Sequence, residues 1–139
     1  MVEKLRPFIN GNYVESKTDK YSDIYDPSTG EVIAQAPICT HEEVEAAVKA
    51  AAAAFPAWSQ TPARRRADLM FKLRDLIVAH FDELTMMVAR ENGKAWSEAA
   101  GDVQKALEMT EFACGIPTLM MGEGQMNVSN GYDTVRYCE

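Results

Sequence analysis

Positive charge and metal-type ligands are scarce in this chain. Of its 139 residues, 14 are Lys or Arg against 21 Asp or Glu, so the formal net charge is −7. A surface of that sign repels polyanions, which excludes nucleic acid and anionic membrane as electrostatic partners. The basic cluster Arg64-Arg65-Arg66 opens an expected helix and is diluted by Asp68 and Asp75, as on a solvated face. Two histidines, His41 and His80, and three widely spaced cysteines, Cys39, Cys114 and Cys138, are present. An odd, scattered set of thiols supports neither a disulfide framework nor a CxxC metal site, and it fits a reducing cytosol. No apolar run approaches the roughly 20 residues of a membrane span, and Met1 to Pro7 lacks the apolar core of a secretory signal. A cytoplasmic protein without membrane contact is expected. With 47% hydrophobic and 25% charged residues, the chain has the composition of one globular domain.

Phosphate-binding signatures are also missing. Around Asn92-Gly93-Lys94 a phosphate loop would need glycine at Val88 and Ser or Thr at Ala95. Gly122-Glu123-Gly124 lacks the third glycine of a dinucleotide fingerprint. A cysteine nucleophile would pair Cys114 with His41 or His80, yet Cys114 falls on an apolar helical stripe, where free Cys acts as a small hydrophobe. Read from its residues, the chain carries no complete catalytic, cofactor-binding or metal site.

What is present is a change of period at Thr40. Before it, residues 8–39 read as short strands joined by turns: Asn10-Gly11 lies between apolar residues as a hairpin signal, and Asp26-Pro27-Ser28-Thr29-Gly30 precedes a strand from Glu31 to Pro37. Thr40-His41-Glu42-Glu43 is a capping box, opening an Ala-rich helix with Val44, Val48, Ala51 and Phe55 inward and Pro56 as its stop. Thr61-Pro62 supplies an N-cap and a first-turn proline for a second, mostly core-facing helix carrying Leu69, Leu73, Leu76 and Ile77. A third starts near Asp82 and Glu83, places Leu84, Met87 and Val88 on one face, and closes at Asn92-Gly93.

The fourth helix, from Trp96, has two faces. Trp96, Ala100, Val103, Leu107, Thr110 and Cys114 share one stripe, and Gly101, Lys105, Glu108 and Phe112 lie opposite. Gly115, tolerant of positive φ, and Pro117 are expected to end it. A solvated face rarely needs a Phe. Two readings of the second face stay open: an exposed i,i+3 ion pair with Phe112 under a neighbouring loop, or the wall of a ligand channel where Lys105 attracts an anionic group. Beyond Pro117 the sequence is polar and glycine-rich to Gly131, and the strand-like run from Tyr132 to Glu139 stops without turn, cap or polar tail, as though cut in mid-architecture.

Several stretches, in order, carry a resemblance: Phe8-Ile9-Asn10-Gly11, Asp26-Pro27-Ser28-Thr29-Gly30-Glu31-Val32-Ile33, Glu42-Glu43-Val44 through Phe55-Pro56-Ala57-Trp58, Glu91-Asn92-Gly93-Lys94, and Glu111-Phe112-Ala113-Cys114-Gly115-Ile116-Pro117. The chain resembles the N-terminal part of the NAD(P)-dependent aldehyde dehydrogenase superfamily, most closely its methylmalonate-semialdehyde dehydrogenase branch. The resemblance implies an enzyme that oxidises a small aldehyde through a thiohemiacetal, with hydride passing to NAD and, in this branch, coenzyme A as acyl acceptor. It places the catalytic Cys, the general-base Glu and the cofactor domain beyond the matched part. It makes Lys105, Glu108 and Phe112 candidates for the substrate tunnel, with Lys105-Ala106 where the branch typically has Arg-Gly. Lys keeps the charge but not the planar fork that suits a carboxylate.

The expected fold is thus α/β, the N-terminal portion of the aldehyde dehydrogenase fold: short antiparallel strands, about four helices and a terminal oligomerisation strand. The divisions are 1–39 for the strands, 40–117 for the helical part and 118–139 for a loop and the start of that strand, which in the resemblance pairs subunits of a homo-oligomer, a dimer or tetramer. The alternatives are a hydrolytic aldehyde dehydrogenase and a non-catalytic oligomerisation or interaction module.

Overall fold

A computed structural model describes residues 2–137. Its elements are β1 (Glu3–Lys4), β2 (Phe8–Ile9), β3 (Asn12–Tyr13), β4 (Tyr21–Tyr25), β5 (Val32–Pro37), α1 (His41–Ser59), α2 (Ala63–Ala79), α3 (Phe81–Asn92), α4 (Trp96–Cys114), α5 (Ile116–Leu119), β6 (Glu123–Ser129) and β7 (Tyr132–Arg136). They fall into two units: the segment up to Gln60 with Asp82–Asp102, and Thr61–Phe81 with the segment from Val103 onward. Cys138 and the end of the expected terminal strand lie outside the described residues.

In the first unit, Asn10 and Gly11 both take positive φ (51° and 76°), the pairing that a tight hairpin turn requires, and β2 and β3 close around them. Phe8 and Tyr13 meet edge to face across the hairpin, ring centroids 5.0 Å apart. β4 and β5 pair antiparallel. The expectation of antiparallel strands throughout needs one correction, because β1 joins the far edge of β5 in parallel. That pairing joins segments some thirty residues apart, and no turn signal encodes it.

α1 begins on the expected capping box. The Thr40 amide donates to Glu43 Oε2 at 2.7 Å, and the Glu43 amide donates to Thr40 Oγ1 at 3.4 Å. Glu43 also accepts the Lys17 amide at 2.7 Å, which ties the preceding loop to the helix start. These amide donors, the Thr40 contact first, hold the Glu43 carboxyl down at about 2. Pro56 does not stop the helix, which runs on to Ser59. Only one turn follows Pro56, and its carbonyl still accepts the Gln60 amide at 3.3 Å, so the lost bond falls where the helix is about to end. The inward stripe is also corrected: Val44, Val48 and Phe55 are exposed, Phe55 to 65%, because no described residue covers that face. α3 closes at Gly93 as expected, with φ 66° and its amide on the Ala89 carbonyl at 2.9 Å. Its buried position is Thr85; Leu84 and Val88 are half-buried and Met87 is exposed.

In the second unit, Pro62 rather than Thr61 is the N-cap of α2, and the Pro62 carbonyl receives the Arg65 and Arg66 amides. Arg64 pairs with Asp68, as the diluted-cluster reading implies. The core-facing expectation for α2 fails for Leu69, Leu73 and Leu76, which are exposed; Ile77 is half-buried, and the buried residue of the helix is Ala67. α2 packs on α5. Gly115 does not take positive φ. At −83° it leads from α4 directly into the short α5, with Pro117 in the first turn, and a Cβ there would sit 3.3 Å from the Phe112 carbonyl oxygen.

The largest departure lies between residues 122 and 131, where a glycine-rich loop was expected. β6 occupies that stretch and pairs antiparallel with β7 through the Asn130-Gly131 turn, Gly131 at φ 82°. The register shifts between Gln125 and Ser129, where Asn127 takes φ 58° and donates its amide to Asp133 Oδ1 at 2.7 Å.

Candidate functional site

α4 carries its two faces as the periodicity predicts, except that Trp96, which opens the inward stripe, is exposed to 46%. Val103 is buried, Ala100, Leu107, Thr110 and Cys114 are half-buried, and Ala99, beside this stripe, is wholly enclosed. Opposite them Gly101, Lys105 and Phe112 are exposed, Phe112 to 70%, with Glu108 partly so.

The structure brings the three candidate residues together on this outward face. Lys105 Nζ donates to Glu108 Oε2 at 2.8 Å, one helical turn on. Gln104 Nε2 donates to Glu108 Oε1 at 3.4 Å, so both oxygens of that carboxylate are engaged. Phe112 stands a turn beyond, and Glu108, Glu111 and Phe112 line a shallow depression. Glu111 has its own cation: Arg74 of α2 donates through Nε to Glu111 Oε1 at 3.3 Å and through Nη1 to Asp75 Oδ1 at 2.8 Å.

The charges perturb one another as this geometry requires. The hydrogen bond to Glu108 raises the Lys105 ammonium above its ordinary range. The bond from Lys105, followed by that from Gln104, lowers the Glu108 carboxyl. Asp75, then Glu111, raises the Arg74 guanidinium. Lys105, Glu108 and Arg74 are therefore held in their charged forms, and the face presents fixed charges and an aromatic ring, suited to binding and orienting a polar group. Gln104 was legible by its i,i+4 spacing from Glu108 but was not singled out. Arg74 and Glu111, 37 residues apart, had no sequence signal.

Of the other candidates, Cys114 lines a second depression with Phe71, Arg74 and Glu111. Cys39 and Cys114 are free, half-buried thiols. His41, exposed in the first turn of α1, lies 3.9 Å from Glu45, and His80 caps the end of α2. Among the described residues no His, Cys, Asp and Glu cluster is placed to hold a metal, and no helix is long and apolar enough to cross a membrane. Gly122-Glu123-Gly124 leads into a hairpin strand and not into a helix N-terminus, so it offers no seat for a dinucleotide pyrophosphate.

The model of the aldehyde dehydrogenase family matches residues 13–138. Malonate-semialdehyde dehydrogenase of Listeria monocytogenes serotype 4a is 45% identical over 136 residues, which is 98% of this chain and 28% of the relative. Among solved structures, a protein assigned as a methylmalonate-semialdehyde dehydrogenase from Sinorhizobium meliloti 1021, complexed with NAD, superposes with a TM-score of 0.86 at 36% identity over 96% of this chain and 27% of its own. Methylmalonate-semialdehyde dehydrogenase from Oceanimonas doudoroffii gives 0.85 at 36% identity, with the same coverage of both chains. The chain thus spans little more than a quarter of the length of these relatives.

Proposed function

We propose, from the premise that this chain belongs to the aldehyde dehydrogenase family, that the protein carrying it oxidises a small carboxylated semialdehyde of the malonate-semialdehyde type, with NAD as hydride acceptor and coenzyme A as acyl acceptor. The observation that carries this reading is the end-to-end match, at 45% identity, to a malonate-semialdehyde dehydrogenase. Gly122 and Gly124 open a hairpin strand and not a helix N-terminus, so this pair of glycines does not supply a pyrophosphate seat.

What these residues contribute is a wall of the substrate tunnel. Lys105 supplies the positive charge that meets the substrate carboxylate, Phe112 an apolar side for its short carbon chain, and Glu108 holds the Lys105 ammonium at 2.8 Å. β7 is the strand that pairs subunits of a homo-oligomer in the cytoplasm, and the 1–39, 40–117 and 118–139 divisions are parts of one N-terminal domain.

The test measures nicotinamide reduction by the protein carrying this chain with malonate semialdehyde, methylmalonate semialdehyde and the neutral aldehyde propanal, with and without coenzyme A. A coenzyme A requirement and a preference for carboxylated substrates support the proposal; turnover indifferent to coenzyme A replaces it with the hydrolytic route. Lys105→Ala should raise KM for the carboxylated substrates by about ten- to a hundredfold, the range for a lost charge-assisted hydrogen bond, and for propanal far less. Equal effects on both classes refute the tunnel role of Lys105.

A further inference from the structure

We infer that Glu108 is an internal competitor for the substrate carboxylate, setting how strongly the site selects charged over neutral aldehydes. This rests on the proposal that Lys105 faces the substrate tail. The geometry supplies the rest. Lys105 Nζ already donates to a carboxylate, Glu108 Oε2, at 2.8 Å, the contact an incoming carboxylate would seek. An ammonium has three donors, so a substrate can displace Glu108 or bind beside it. Displaced, Glu108 loses its cation; retained, it shares that cation with the substrate; in both cases its charge opposes the substrate. Gln104 holds the other oxygen of Glu108 at 3.4 Å and keeps it on station.

The neighbouring charges do not relieve this. Glu111, the second carboxylate lining the depression, is engaged by Arg74, and Arg74 also binds Asp75. Arg74 is therefore pinned by two carboxylates and Lys105 by one. Lys105 is the cation that yields, and Glu108 is the group it must leave. Because the Lys105–Glu108 pair is exposed, it is weak enough for a substrate to overcome. The competition therefore tunes affinity without blocking binding, and a neutral aldehyde does not enter it.

The experiment compares KM for malonate semialdehyde and for propanal in the protein carrying this chain, together with inhibition by malonate as a carboxylate probe that undergoes no oxidation. Glu108→Gln keeps the shape of the side chain and removes its charge. It should lower the ratio of the two KM values, and the inhibition constant of malonate, by about two- to fivefold, the range set by an exposed ion pair. Glu108→Asp retains the charge and should stay closer to the unaltered protein. A ratio that is unchanged or higher in Glu108→Gln overturns the inference and makes Glu108 a residue that positions Lys105. The Lys105→Ala comparison separates the two claims. If Lys105→Ala is selective for carboxylated substrates while Glu108→Gln shifts nothing, the competition fails and the tunnel reading stands. If Lys105→Ala affects both classes equally, or no aldehyde is oxidised, the underlying reading falls and this inference falls with it.

Discussion

Replacing Gly122 by alanine should open the β6–β7 hairpin. Gly122 holds φ 73° at the entry to β6, a conformation that costs an L-residue about 1–2 kcal/mol. A Cβ built there would also lie 2.3 Å from the Arg136 carbonyl oxygen at the far end of β7. Ordinary carbon–oxygen contact needs roughly an ångström more, so strand or turn must move, adding about 1–3 kcal/mol. Gly131 is the matched control: its φ is 82°, but nothing lies within 4 Å of the Cβ position, so Gly131→Ala carries the backbone term alone. Amide hydrogen exchange of β6 and β7, read by mass spectrometry, separates the two. Gly131→Ala should speed exchange by about five- to thirtyfold and Gly122→Ala by about thirtyfold to a few thousandfold, since each 1.4 kcal/mol is a factor of ten. Equal rates in the two variants would refute the close approach of Gly122 to Arg136.

Acid should loosen the start of α1. The Glu43 carboxyl is depressed from 4.5 to about 2 by the amides of Thr40 and Lys17. A folded value below the unfolded one means stabilisation that is complete above about 4.5 and is lost as pH falls from there toward about 2. Exchange at the Lys17 and Thr40 amides should accelerate in that window, and in Glu43→Gln it should be fast on both sides of it; matching profiles would dismiss the capping carboxylate as the cause. In α4, Ala99 is 0% exposed, so Ala99→Leu should cost about 1–3 kcal/mol by overpacking, read as a lower melting temperature, and an unshifted transition would show that the enclosure of Ala99 is loose.

The legible parts of the fold are those whose partners are close in sequence. Thr40 and Glu43 satisfy each other within one turn, and Asn10-Gly11 sets its own hairpin, so both could be read directly. The parallel pairing of β1 with β5 depends on a distant partner and could not. β6 failed for another reason. The same Asn-Gly dipeptide marks its turn, but all seven β6 residues are exposed and the register shifts at the bulge, so neither burial nor spacing leaves a period of two. Gly115 misled because a glycine beyond a helix suggests positive φ, whereas here a right-handed backbone carries the chain into α5.

The candidate face was legible for the same local reason and misjudged on one point. In the sequence Phe112 stands out, since a solvated helix face rarely needs an aromatic ring. Phe55, Phe71 and Leu76 are also exposed in the structure, so an open apolar side chain does not single out this face. Its charge pairing bears more directly on what could bind there. Each carboxylate lining the depression has a cation of its own, Glu108 through Lys105 and Glu111 through Arg74, so an incoming anion must take a partner from one of them. Arg74 bridges two carboxylates and also brings its chain from another helix, whereas Lys105 holds a single contact one turn away on its own helix. Releasing Lys105 breaks one exposed pair; releasing Arg74 strands two acids. If the face binds substrate as proposed, selectivity falls to Lys105 and to the acid it gives up, and the KM ratios of Lys105→Ala and Glu108→Gln, not the conspicuous ring of Phe112, test that proposal.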